Sequence, residues 1–176
     1  SRVEHPPVAH TAYWFDLWSD YEEVRQAWLE GARKSVDVSA TLGCRKMNIH
    51  GPIIHGLYGQ SRPHMRRALG NFVESMKELT GYASRKDVRV MLENMPTPDT
   101  ITLKEYSYIL GRVPGLGAHI DIGHCFVEGG MRMVSRYIRT FRERLEHLHF
   151  SDSMGEQDDH VGIGVGVIDF YRVMKL

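Results

Sequence analysis

Several short runs in this sequence pair a carboxylate with an imidazole. Asp121-Ile122-Gly123-His124 sets the two groups three residues apart, one turn of a helix if the chain coils there, with Gly123 easing the bend. Asp158-Asp159-His160 sets them two apart, a spacing that aims both side chains the same way along an extended segment. His5, His50, Glu93, Asp121 and His149 each stand at the end of a short apolar run. Mixed carboxylate and imidazole donors suit Zn²⁺, Mn²⁺ or Fe²⁺ better than Ca²⁺, which prefers oxygen alone. The chemistry such donors support is metal-assisted: a polarised carbonyl, or a water made nucleophilic.

Those donors must be positioned, and the chain has a repeating device for doing so. Strand-like runs at 3–5, 46–50, 88–92, 117–122 and 145–150 alternate with helical patterns at 21–42, 63–84, 103–110 and 131–142. A last helix starts near Asp169. Asp20 is the expected N-cap of the first helix, Gly43 its C-terminal stop, and Pro63 suits a first helical position. Gly129-Gly130 reads as a loop. Strand and helix in strict alternation predict right-handed crossovers and a parallel sheet. The expected fold is α/β, a (β/α) TIM-barrel type, here a partial barrel of about five βα units in a single domain over 1–176. In such barrels functional groups sit where the strands end, which is where these donors fall.

Composition narrows the classes of partner. With 22 basic and 22 acidic residues the formal charge is zero, which argues against a surface built to grip a phosphate backbone. Cys44 and Cys125 fit no disulfide or metal-ligand spacing, as expected of a reducing cytoplasm. No apolar run reaches transmembrane length, so no membrane partner is expected. The chain opens at Ser1 in front of a strand-like run, in the manner of an excerpt.

The stretches Leu92-Glu93-Asn94-Met95, His119-Ile120-Asp121-Ile122-Gly123-His124, His147-Leu148-His149-Phe150-Ser151-Asp152 and Asp158-Asp159-His160 through Gly164-Val165-Gly166 occur in an order that resembles the xylose-isomerase-like barrels. That superfamily includes sugar-phosphate isomerases and epimerases and the endonuclease IV proteins. The resemblance implies that Glu93, Asp121 and His149 bind a shared divalent metal (Zn, Mn, Mg or Co). It implies that His124 contacts substrate in an isomerase or binds a second metal in an endonuclease. His5, His50, Asp158 and His160 would complete a trinuclear zinc cluster of the endonuclease kind. The superfamily's last strand brings a further glutamate, and Leu176 ends the chain before such a strand. By the same comparison the first two strands are also missing, so a homo-oligomer that completes the barrel is one expectation.

The leading expectation is a metal-dependent sugar or sugar-phosphate isomerase/epimerase. Glu93 would be one acid/base, His124 would orient a substrate oxygen, and a small-molecule sugar or sugar phosphate would be the partner. Trp14, Gly164 and Gly166 are the candidate substrate contacts, the glycines through backbone N–H groups near a phosphate. Tyr13, Phe15 and Trp18 are aromatics that would either wall a sugar or pack under a loop. The alternatives are an endonuclease IV-like zinc phosphodiesterase, for which nucleic acid would be the partner, and a non-catalytic barrel fragment or assembly subunit. His147 shares the strand parity of His149 and is expected to face inward as a packed residue. His10, His55 and His64 read as surface groups, and Cys125 as a small core residue.

Overall fold

The structure, a computed structural model, describes residues 6–11, 15–58, 61–96 and 100–176. Five parallel strands lie in sequence order: β1 (Val8–His10), β2 (Lys46–His50), β3 (Arg89–Glu93), β4 (Gly117–Asp121) and β5 (Leu145–His149). Helices α1 (Glu22–Thr41), α2 (Ile54–Tyr58), α3 (Arg62–Ser84), α4 (Leu103–Arg112) and α5 (Ile122–Phe141) follow the strands, and α6 (Phe170–Val173) comes last. This is a half-barrel, the (β/α) arrangement that alternating strands and helices predict.

Strand alternation divides the residues into two sets. Met47, Ile49, Val90, Leu92, Ala118 and Ile120 join one buried cluster with Leu29 and Val36 of α1, Phe72, Met76 and Leu79 of α3, Tyr106 and Ile109 of α4, and Tyr137 and Phe141 of α5. The opposite set on β2 to β5 includes Asn48, His50, Glu93, His119, Asp121, His147 and His149, and these share the concave face. A bulge between Ala118 and His119 shifts the β4–β5 register. It turns Glu146 toward Lys46 (3.1 Å) and Arg89 (3.0 Å), so an ion-paired floor forms where the strands begin. Gly117 is required there, because a Cβ would strike the Glu146 side chain.

Local signals account for most boundaries. Gly43 (φ +76) follows α1 in the left-handed region, and Pro63 stands in the first turn of α3. Thr102 and Glu105 form a reciprocal capping box at the start of α4. Asp20 does not cap α1: Tyr21 is the N-cap, and Asp20 pairs with Arg67 at 2.9 Å instead. The expected strand at 3–5 lies outside the described residues, and the first strand seen is β1, formed just after Pro6-Pro7. The segment expected to be a loop before residue 131 is helical from Ile122, and Gly129-Gly130 (φ 63 at Gly130) interrupts α5 rather than preceding it. The short α2 occupies what reads as a loop.

Candidate metal centre

Strands β1 to β5 end at His10, His50, Glu93, Asp121 and His149. Glu93 and Asp121 are at most 1% exposed. Burying a carboxylate is expensive unless it is paired or coordinates a cation, and imidazoles supply the pairing here. Glu93 Oε2 lies 3.3 Å from His50 Nε2 and 3.6 Å from His10 Nε2. Its Oε1 lies 3.8 Å from Nδ1 of both His124 and His149. Asn48, fully buried, donates its Nδ2 to Glu93 Oε2. Asp121 Oδ2 meets His149 Nδ1 at 2.6 Å.

Asp121 also builds the fold. Its Oδ1 accepts the His124 backbone N–H at 2.8 Å as the N-cap of α5, and Ser151 donates to the same oxygen at 3.0 Å. The Asn94 side chain accepts the Asp121 N–H at 2.8 Å. Gly123 is needed for close approach, not for a bend, because a Cβ would run into Ser151 Oγ. The cap starts the helix at once and so turns His124 back over the strand ends.

His124 Nδ1 donates to the Asn94 carbonyl at 2.7 Å, which leaves Nε2 with the lone pair in the neutral ring. That Nε2 faces Asp158 Oδ2 at 3.1 Å and His160 Nε2 at 3.3 Å, and His160 is 3.0 Å from Asp158 Oδ1. Asp158 and His160 come from a loop that is held firmly, while His124 comes from α5. Asp152 pairs with Val161 through both backbone bonds, and its carboxylate accepts the N–H groups of Ser153, Gly164, Gly166 and Ile168. Asp159 turns away and accepts from Met154 N–H. The amides of Gly164 and Gly166 are therefore engaged by Asp152, and a substrate phosphate would have to compete for them. Gly166 admits no Cβ, since it would meet Asp152 and the Ser153 carbonyl.

Among the described residues, five overlapping triads have ligand atoms within 4.8 Å of one another: His10–His50–Glu93, Glu93–His119–His149, Asp121–His149–His160, His124–Asp158–His160 and Glu93–Asp121–His124. Buried carboxylates faced by imidazoles, one of them with its tautomer fixed, are a donor set that fits a divalent transition metal. Proton affinities show how strongly the groups act on each other. The hydrogen bonds of Asp121 and Glu93 lift His149 to about 10. Burial works against a charged His124, yet Asp158, Asp121 and the Asn94 carbonyl outweigh it and raise the ring to about 9. Burial likewise opposes ionised Glu93 and Asp121, but the surrounding imidazoles hold both below the usual carboxylate range.

Of the residues expected from sequence, His50, Glu93, Asp121, His124, His149, Asp158 and His160 converge on this one face. His5 and Trp14 lie outside the described residues, as does Tyr13. Phe15 packs edge-on against Trp28 and Trp18 packs at a tilt against Phe72, so these two aromatics pack rather than line the site. His10 is not a bystander: it ends β1 beside Glu93. His55 bonds Glu105 at 2.9 Å, a link between α2 and α4, and Cys125 is a fully buried free thiol. Asn48 also escaped the sequence reading, and Asn94 and Ser151 stood in its motifs without a role. Asn48 shares the parity of His50, which is the signal that would have found it.

The family model of the xylose isomerase-like TIM barrels matches residues 3–176. The chain belongs to that family. A crystal structure of a D-tagatose 3-epimerase-like protein matches this xylose isomerase-like chain with a TM-score of 0.86 and 24% identity, covering 99% of this chain and 66% of that one. That likeness shows the fold. An uncharacterized protein of Methanocaldococcus jannaschii is 24% identical over 161 residues, covering 91% of this chain and 61% of the relative. A probable endonuclease 4 of Natronomonas pharaonis is 25% identical over 180 residues, covering 93% and 62%. The chain thus spans less than two thirds of the length of each. No helix among the described residues is long and apolar enough to cross a membrane.

Proposed function

We propose that the protein is a metal-dependent sugar or sugar-phosphate isomerase/epimerase that works by proton transfer beside a carbonyl. The observation that carries the reading is the pair of buried carboxylates at adjacent strand ends, Glu93 and Asp121, bridged by His149 on the concave face. Its fold likeness to a D-tagatose 3-epimerase-like protein supports the same chemistry. Glu93, Asp121 and His149 would hold one divalent ion, Zn²⁺, Mn²⁺ or Co²⁺ by donor type. Such an ion supplies Lewis acidity, which lowers the cost of removing a proton next to a bound carbonyl.

Glu93 is the acid/base in this scheme. The imidazoles around it keep it ionised, and Asn48 fixes Oε2. His124, its Nδ1 tied to Asn94, presents Nε2 to a substrate oxygen and sets its orientation. The paired lysines and arginines at the sheet, Lys46 and Arg89 with Glu146 and Arg45 with Asp87, lie at the opposite end of the strands, which favours a small neutral polyol over a polyanion. The test is deuterium exchange by NMR, with ketohexoses and their phosphates in D₂O and Co²⁺ or Mn²⁺ present. Exchange at the carbon beside the carbonyl, abolished in Glu93→Gln, is expected of the whole protein. Absence of exchange with every sugar offered would sink the reading.

One observation favours a second reading. The triads His10–His50–Glu93 and His124–Asp158–His160 flank the central group, and several clustered ions suit an attacking hydroxide and a leaving oxygen. This arrangement supports a zinc phosphodiesterase of the endonuclease 4 kind. Nicking of an abasic-site duplex that disappears in His50→Gln and in His160→Gln would establish it over the isomerase.

A further inference from the structure

Strand register extends the row of donors beyond the groups assigned above. His50 pairs with Glu93, Glu93 with His119, and His119 with His147. One donor from each of four strands therefore stands in a single row, at the sheet's spacing of about 4.8 Å. Of this row the isomerase reading uses Glu93 and the phosphodiesterase reading adds His50, and neither has a task for His119 or His147. His119 is 3% exposed, and its Nδ1 has no hydrogen-bond partner. Its Nε2 lies 3.5 Å from His147 Nδ1, with the rings edge-on and their centroids 4.8 Å apart. Two nitrogen ligands of one tetrahedral Zn²⁺ stand about 3.4 Å apart at ordinary Zn–N lengths. Glu93 and His149 each bring a donor atom within 4.8 Å of one on His119.

A plain hydrogen bond between the two rings would satisfy His119 Nε2, but the nitrogen–nitrogen spacing is equally that of two ligands of one ion, and in either case His119 Nδ1 stays buried without a partner. We propose that His119 and His147 form an additional divalent-metal position, closed by His149 and Glu93. Its donors are mainly imidazole, so it takes Zn²⁺, Co²⁺ or Ni²⁺ and rejects Mg²⁺ and Ca²⁺. The position shares Glu93 and His149 with the proposed active centre and rests on that reading only to this extent.

The experiment is a Co²⁺ titration of the chelator-stripped protein, followed by visible d–d absorption and by elemental analysis after desalting. His147→Gln alters a half-buried side chain, and His119→Gln, at a buried site, is the second variant. Each is expected to bind about one equivalent less than the parent, with excess Mg²⁺ failing to compete for that equivalent. Unchanged uptake in the His147 variant overturns the proposal, as does displacement of the equivalent by Mg²⁺. His50→Gln and His160→Gln separate the two claims. If these variants keep every equivalent while His147→Gln loses one, the inner position stands and the flanking triads fall.

Discussion

Ser151 is placed to act on a metal it would never touch. Its hydroxyl donates to both Asp121 oxygens, at 3.0 and 3.3 Å, and so fixes which lone pairs remain for a cation. Groups that orient a ligand in this way typically carry 10- to 100-fold in metal affinity. Ser151→Ala is expected to weaken Zn²⁺ or Co²⁺ binding by about that factor while costing only about 1 kcal/mol of stability. Competition with a chromophoric chelator and a denaturant melt would read the two effects separately. A second expectation concerns protons. His149 and His124 are lifted to about 10 and about 9, so both rings are protonated at pH 7 and a cation gains them only as the protons leave. Affinity should therefore rise with pH, by about tenfold per unit near neutrality where the ion displaces the His149 proton alone and about 100-fold where it also displaces that of His124, and flatten above the two values. Calorimetry in buffers of different ionisation enthalpy counts the protons; a pH-independent affinity would contradict the geometry of both imidazoles. His149 was legible in sequence because it ends an apolar run, and His124 because it follows Asp121 by three residues. His10 was not, because Pro6-Pro7 disguised the three-residue strand that it ends, and a short edge strand leaves a faint apolar signal.

The loop from Asp152 to Ile168 behaves as an element although it holds little regular structure. One carboxylate gathers four backbone N–H groups, which makes Asp152 the hub of the segment that carries Asp158 and His160. Asp152→Ala would strand those donors, and about 3 kcal/mol of destabilisation is expected, with early proteolysis between residues 154 and 167. Gly166→Ala should cost about 1–3 kcal/mol, since the neighbouring backbone carbonyl of Ser153 cannot rotate away. Wild-type melting temperatures and protease patterns in both variants would contradict this account. Sequence reading found the glycines and gave them to a substrate, because a Gly-x-Gly spacing announces free amides without saying what has already taken them. In the same way, Gly129-Gly130 announced a break in α5 correctly but not that helix precedes it. The Asp121 cap decides that, and a cap is recognised only once the strand end is placed.

At the level of the molecule, alternation and strand-end chemistry were enough to give the half-barrel and most of its site. What they missed depends on contacts between distant segments. The bulge that turns Glu146 inward, and the register that lines up His119 with His147, leave no local trace in the chain. The ion-paired floor has a larger consequence. Lys46, Arg89 and Arg45 sit where strands begin, while Glu93, Asp121 and Asp158 sit where they end or just beyond. A net charge of zero thus conceals a slight unevenness along the strands: the three carboxylates outnumber protonated His124 and His149 at the mouth, and the three basic groups outnumber Glu146 and Asp87 at the base. Small cations would be steered to the mouth before any ligand touches them, and salt would blunt that field. Stopped-flow Co²⁺ uptake is expected to slow several-fold between about 10 mM and 150 mM ionic strength, as the Debye length falls from about 30 to about 8 Å. A protein that is neutral in sum would then meet its metal through a mouth that is locally negative.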